Sequence, residues 1–168
     1  MIDVEYPRRM ARYNRWQNRS LYAAAGGLDD AARKQDRGAF FGSIHATLCH
    51  LLWADQTWMS RLAGWPPPAV GSIRDSVGMI ADWSDLARDR AAFDDRLVAW
   101  ADALKAAELD GTLTWFSGAA GRNVTKPRAL LVAHMFNHQT HHRGQAHAML
   151  TAAGATPGAT DLPFMPEE

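Results

Sequence analysis

Seven histidines mark the chain, and five of them, His134, His138, His141, His142 and His147, crowd into one short stretch while His45 and His50 lie far upstream. Imidazole is neutral near pH 7 and a common metal ligand, and two of them one helical turn apart can aim their nitrogens at one point about 2.0–2.1 Å away. At about 100° per residue, Leu131, His134, His138, His142, Gln145 and Met149 share an arc of roughly 80°, with His141 beside it and His147 off it. A lone histidine on an apolar stripe is commonly a hydrogen-bonded core residue. Several together are costly to bury without an acceptor, a water or a metal to satisfy them. The cluster therefore predicts a metal site.

The acids narrow the kind of site. No Asp or Glu occurs between Thr125 and Gly154, which excludes a ferritin-like di-metal centre, since that draws carboxylates from every helix. Position 139 is Gln where the H-E-x-x-H protease motif needs its general base. A mononuclear site of neutral nitrogens remains, completed by His45 or His50. Three imidazoles leave the charge of a divalent ion uncompensated and coordination positions open to water, a thiolate or another anion. The helical wheel puts His45 nearer than His50 to the apolar centre formed by Leu51, Met59 and Leu62, and leaves the choice open.

Other side chains have two readings each. Gln145, the candidate catalytic residue, is placed to hydrogen-bond a metal-bound water or substrate, or simply a neighbouring helix. His134 and His141 are either partners of the ligands or ordinary surface and core residues. Asp55 could orient Arg143 or a histidine, although a plain salt bridge is the commoner use of such a residue. Trp53 and Trp58 line a cavity or fill a core. Cys49 points about 100° away from His50 and reads as a small buried hydrophobe.

Helices must position these groups. Tyr6, Met10, Tyr13 and Leu21 recur at helical spacing from about Tyr6 to Ala25, ahead of Gly26-Gly27. Ser43 is a good N-cap for a second helix ending near Gly64, after which Trp65-Pro66-Pro67-Pro68 breaks the chain. A long connector follows, with a short helical piece around Asp75 to Trp83, and a third helix from Ser84 to about Ala107. The stretch DGTLTWFSGAAGRNVTKP predicts a short hairpin or extended loop. Thr125 and Pro127 then open a fourth helix that Gly154 closes, and the tail, with Leu162, Phe164 and Met165, is expected to pack back. The expected fold is all-α: a four-helix bundle with a long crossover connection and a short hairpin or extended loop before the last helix.

The 168 residues make one domain, 1–168, with 18 basic and 18 acidic side chains and a formal charge of zero. There is no global field to attract nucleic acid or an anionic membrane. Cys49 is the only cysteine, and no run of about 18 apolar residues or signal-type apolar core occurs, so a cytoplasmic protein is expected. Seven tryptophans on four amphipathic helices suggest more apolar surface than one bundle covers, and hence a homodimer.

The stretches YNRWQNRSLY, FFGSIHATLCHLLWADQTWMSRL and HMFNHQTHHRGQAHAML, with the DLPFM tail, resemble the DinB family of DinB/YfiT-like metalloenzymes across nearly the whole chain. The signature is HQTHHRGQ with an upstream helix carrying S-x-x-x-x-x-x-H. The resemblance implies a four-helix bundle with a long crossover, often dimeric, that binds one divalent metal such as zinc, nickel or iron through three histidines. Matched residue by residue, these are His50, His138 and His142, with Asn14 and Trp16 in the YNRWQN motif. Relatives of the fold include thiol-dependent S-transferases and a mycothiol-dependent maleylpyruvate isomerase. With no acid beside the site, the reading is a metal-dependent thiol S-transferase or related detoxification enzyme acting on a small molecule with a low-molecular-weight thiol. The alternatives are a metal-dependent hydrolase and a non-catalytic metal- or ligand-binding stress-response bundle.

Overall fold

The computed structural model describes residues 2–118 and 120–167. In chain order the helices are α1 (Glu5–Gly26), α2 (Asp30–Lys34), α3 (Ile44–Ala63), α4 (Ile73–Ser76) and α5 (Trp83–Ala103), followed by strands β1 (Thr112–Ser117) and β2 (Arg122–Pro127) and the last helix α6 (Arg128–Ala152). Helix α1 packs along both α5 and α6, and α6 packs along α3, so α6 lies between the first and third helices. Among the described residues no helix is long and apolar enough to cross a membrane.

The helix ends follow from local chemistry. The Ser43 hydroxyl accepts from the Ala46 amide at 3.1 Å, and Gly64 closes α3 with φ +67°, a conformation that costs glycine little. The Asp82 carboxylate caps α5 by accepting from the Asp85 amide at 3.0 Å. Leu21, Leu48, Leu52, Leu97, Met135, Phe136 and Leu150 are buried between the long helices. Each such side chain contributes about 1.5–3 kcal/mol relative to its exposed state.

A charged network runs through this core. Arg90 of α5 donates to Asp55 of α3 and to Asp94 of its own helix, both at 2.7 Å. Asn14 and Asn18 of α1 donate to Asp94, and Arg143 of α6 donates to the Asn14 carbonyl oxygen. All four long helices thus share one set of buried polar contacts. Burial works against the Arg90 charge, yet Asp94 and Asp55 outweigh it and hold its pKa above the ordinary value.

Several expectations change in detail. The short helix of the connector is α4 at Ile73–Ser76, while Trp83 already begins α5 behind its Asp82 cap. The third long helix stops at Ala103, and a separate 3-10 turn covers Ala106–Leu109. Helix α2 lies in the polar segment DDAARKQDRG, where no helix was expected, and is capped by Asp29, whose side chain accepts from the Ala32 amide at 2.7 Å. The hairpin pairs Thr112 with Pro127 through Ser117 with Arg122, so Thr125 belongs to a strand and the last helix starts at Arg128. Ala119 of the expected turn lies outside the described residues, as does Glu168 at the end of the tail.

The tail is anchored early and free late. Tyr13 donates to the Thr160 carbonyl at 2.6 Å and Gln17 to that of Ala159 at 2.9 Å, but Leu162 and Phe164 stay exposed. Every tryptophan is buried or half-buried within the chain, against the expectation of an exposed tryptophan surface. The large apolar side chains left outside are instead Phe40, Ile73, Phe116, Leu130, Leu162 and Phe164.

Candidate metal centre

Helices α3 and α6 bring His50, His138 and His142 together, with one nitrogen of each lying within 4.8 Å of the others. The Nε2 atoms of His138 and His142 are 3.0 Å apart. That spacing matches the edge of a coordination polyhedron, since nitrogens about 2.0–2.1 Å from one ion are separated by about 2.9–3.4 Å. No carboxylate or thiol joins the group, which is the only metal-compatible His, Cys, Asp and Glu cluster among the described residues.

The outer ring nitrogens decide which way the lone pairs face. Ser76 Oγ lies 2.8 Å from His50 Nδ1 and donates its own proton to the Ile73 carbonyl at 2.6 Å. With its single proton committed, the hydroxyl accepts from His50 Nδ1–H, which leaves the Nε2 lone pair free. Gln145 Oε1 accepts from His142 Nδ1–H at 2.7 Å, with the same consequence. His138 has no such anchor: its Nδ1 is buried without a partner.

The rings are held neutral as well as oriented. Burial, helped by the His142 imidazole, pushes His50 down to about 4, and burial with the neighbouring imidazoles pushes His138 down to about 3. His142 is also lowered by burial, although Gln145 works in the other direction. Neutral imidazole is the form that binds a metal.

Aromatic groups flank the cluster at His50 and His142. The Phe41 ring sits 3.9 Å from the His50 ring centre and 5.3 Å from that of His142, and Trp53 lies 5.5 Å from His50 on another side. Phe41 is presented by a tight turn in which Gly42, at φ +77°, donates to the Ala39 carbonyl at 2.8 Å. Phe41 lies in a stretch that carries the family resemblance but was not among the candidate site residues, and neither was Ser76. Phe41 had only its place before the Ser43 cap as a signal, and Ser76 had none, because its partner is 26 residues away.

The remaining candidates fall outside the cluster. His45 is buried on another side of α3, where its Nε2 meets the Ile80 carbonyl at 2.8 Å; the wheel's preference for it is overturned in favour of His50 as the cluster member. Cys49 is buried and also contacts Ile80, accepting from its amide at 3.3 Å. His134 is exposed against Trp58, and His141 is exposed beside the His142 ring. His147 is half-buried and apart. Asp55 forms the salt bridge expected of it, with Arg90 rather than Arg143. Asn14 belongs to the same network, and Trp16 packs edge-on against Tyr13. Trp53 flanks the cluster and donates to the Val70 carbonyl at 2.7 Å, while Trp58 packs edge-on against Trp115 of the hairpin.

Four side chains of α3 therefore fasten the connector between α3 and α5: Trp53 at Val70, His50 at Ser76, and His45 with Cys49 at Ile80. A model of the DinB family matches residues 1–168. The chain belongs to the DinB family. No curated protein matches it. A metal-binding DinB-like protein fits both the family and the three-histidine cluster.

Proposed function

We propose that this DinB-family chain holds one divalent ion through His50, His138 and His142 and is a metal-dependent enzyme that transfers a low-molecular-weight thiol to a small electrophile. The observation that carries the reading is the donor set: three neutral imidazoles, two of them with their lone pairs fixed inward, and no carboxylate among them. When bound, a zinc, nickel or iron ion would supply uncompensated positive charge that favours thiolate over thiol at neutral pH.

The chain's own residues divide the remaining work. Ser76 and Gln145 hold the rings of His50 and His142 at their outer nitrogens. Phe41 and Trp53 shield that face from water. Without a carboxylate in the cluster there is no obvious general base for hydrolysis, which favours thiol transfer.

We further propose that α1, α3, α5 and α6 form the crossover four-helix bundle of the family. We propose a homodimer as well, on the family resemblance and on exposed Phe40, Phe116 and Phe164, since the tryptophans are covered within the chain. A single species of monomer mass by light scattering at tens of micromolar would count against it.

The test of the activity combines elemental analysis of protein purified without a histidine tag with a screen of glutathione, bacillithiol, mycothiol and cysteine against a chromogenic electrophile. One ion per chain and conjugation that requires both metal and His138 are expected. Two tightly held ions, or none after reconstitution with zinc and nickel, would overturn the site. A rate no higher than that of the metal-free protein, with cobalt spectra insensitive to thiol, would overturn the thiol chemistry.

A further inference from the structure

A depression of about 430 Å³ opens between the loop before α3 and the C-terminal half of α6, within the size range of small-ligand sites. Its polar side chains are Arg37 and Gln145, and its apolar ones include Phe40, Ala148, Met149 and Ala152. Gln145 ties it to the histidine cluster, because the same amide accepts from His142 at Oε1 and keeps its NH2 group as a donor. Among the described residues Arg37 makes no ion pair: its side chain donates from Nη2 to the Ala32 carbonyl at 3.2 Å, and its Nε is buried without a partner. The side chains of the depression thus offer donors and one uncompensated positive charge, with no acid among them.

We infer that this depression binds the carboxylate of a small ligand, with Arg37 and Gln145 at the anionic end and Phe40, Ala148 and Met149 along its apolar body. Guanidinium matches a carboxylate in both charge and fork geometry, and a half-buried cation gains more from it than a solvated one does. A neutral or cationic ligand leaves the Arg37 charge uncompensated. The carboxylate belongs either to the thiol or to its electrophilic acceptor. Its part in the reaction rests on the metal-site reading above, whereas the binding itself does not require the ion.

The experiment therefore begins on the metal-free protein, with hexanoate as probe and 1-hexanol as its uncharged counterpart, followed by side-chain and amide NMR. Hexanoate is expected to shift the Arg37 Nε–H, Gln145 NH2 and Ala148 signals and to bind more tightly than hexanol. Arg37→Gln should weaken hexanoate by about tenfold, the scale of a lost charge-assisted contact, and leave hexanol unchanged. Arg37→Lys should restore part of the difference. Ala148→Phe keeps Arg37 and fills the depression, so it should weaken both probes.

Equal affinity for hexanoate and hexanol, or an Arg37→Gln variant that binds hexanoate as well as the native protein, would overturn the inference even if the metal site is real. A second arm uses the cobalt-loaded protein with glutathione and with cysteamine, which lacks a carboxylate. If Arg37→Gln weakens glutathione but not cysteamine, the carboxylate is the thiol's. If it weakens only hexanoate, the carboxylate is the acceptor's. Either result supports the site.

Discussion

The Nδ1 of His50 and the Oγ of Ser76 lie 2.8 Å apart, and the hydroxyl donates its own hydrogen bond to the Ile73 carbonyl 2.6 Å away. The contact joins a residue of the histidine cluster to a helix of only four residues in the connector, so the tautomer of His50 depends on the placement of α4. Ser76→Ala removes the acceptor and leaves a buried Nδ1–H without a partner. Metal affinity should fall by about 10–100-fold, the usual effect of losing an outer hydrogen bond at a histidine ligand. Competition with a chromogenic chelator measures it. Ser76→Thr, which keeps the hydroxyl, should recover most of the affinity, and an Ala variant as tight as the native protein would show that α4 does not set the ring.

His50 and His45 separate two kinds of failure. His50→Ala, His138→Ala and His142→Ala should each lose most of the metal affinity, whereas His147→Ala should not. His45→Ala should keep the ion but lose about 1–2 kcal/mol of stability, because the Ile80 carbonyl loses its partner in a half-buried setting. Denaturant unfolding beside metal titration distinguishes the outcomes. Loss of metal in His45→Ala with retention in His50→Ala would reverse the assignment.

The contrast between these residues also shows how far the sequence could be read. Periodicity found the four long helices, with Ser43 and Gly64 marking the ends of α3 and Asp82 overlooked as the cap of α5, and it found the histidine stripe of α6. It misplaced the centre of that helix's buried face by roughly 90°. Hydropathy counts Gln139 and Arg143 as outward, yet both are buried, while Leu130 and Ala148 are exposed. The reason lies on other helices: Asn14 offers Arg143 a carbonyl oxygen, and the Asp55, Arg90 and Asp94 set makes the interior polar there. The preference for His45 failed similarly, since nearly all of α3 from Ile44 to Asp55 is buried and the connector hides a side that the wheel takes as solvent. Local chemistry is legible in one chain segment, but partners 26 or 129 residues apart are not.

That buried network should be intolerant of half-measures. Asp55→Ala leaves Arg90, 2% exposed, with one carboxylate fewer, and should cost about 3–5 kcal/mol. Removing Asp55 and Arg90 together with well-packed apolar replacements should cost less than the sum of the single changes. Urea unfolding of the singles and the double reads the difference, and strict additivity would mean that the 2.7 Å contact carries no coupling.

The depressed histidines set a pH dependence for the metal-free protein. In the unfolded chain an imidazole takes up its proton near pH 6.5, whereas folded His50 and His138 resist protonation until about 4 and about 3. Between those limits the unfolded state binds more protons, so stability is fully present above about pH 6.5 and is lost as the pH falls toward 4. His142 and His134 are lowered by burial too and act in the same direction. Urea midpoints of the chelator-treated protein at pH 7, 6, 5 and 4.5 should therefore decline steadily. His138→Leu, which has no imidazole to protonate at that position, should decline less steeply over the same range. Equal slopes in the two proteins would mean that His138 binds its proton at the same pH folded and unfolded, and that the cluster does not hold its imidazoles neutral.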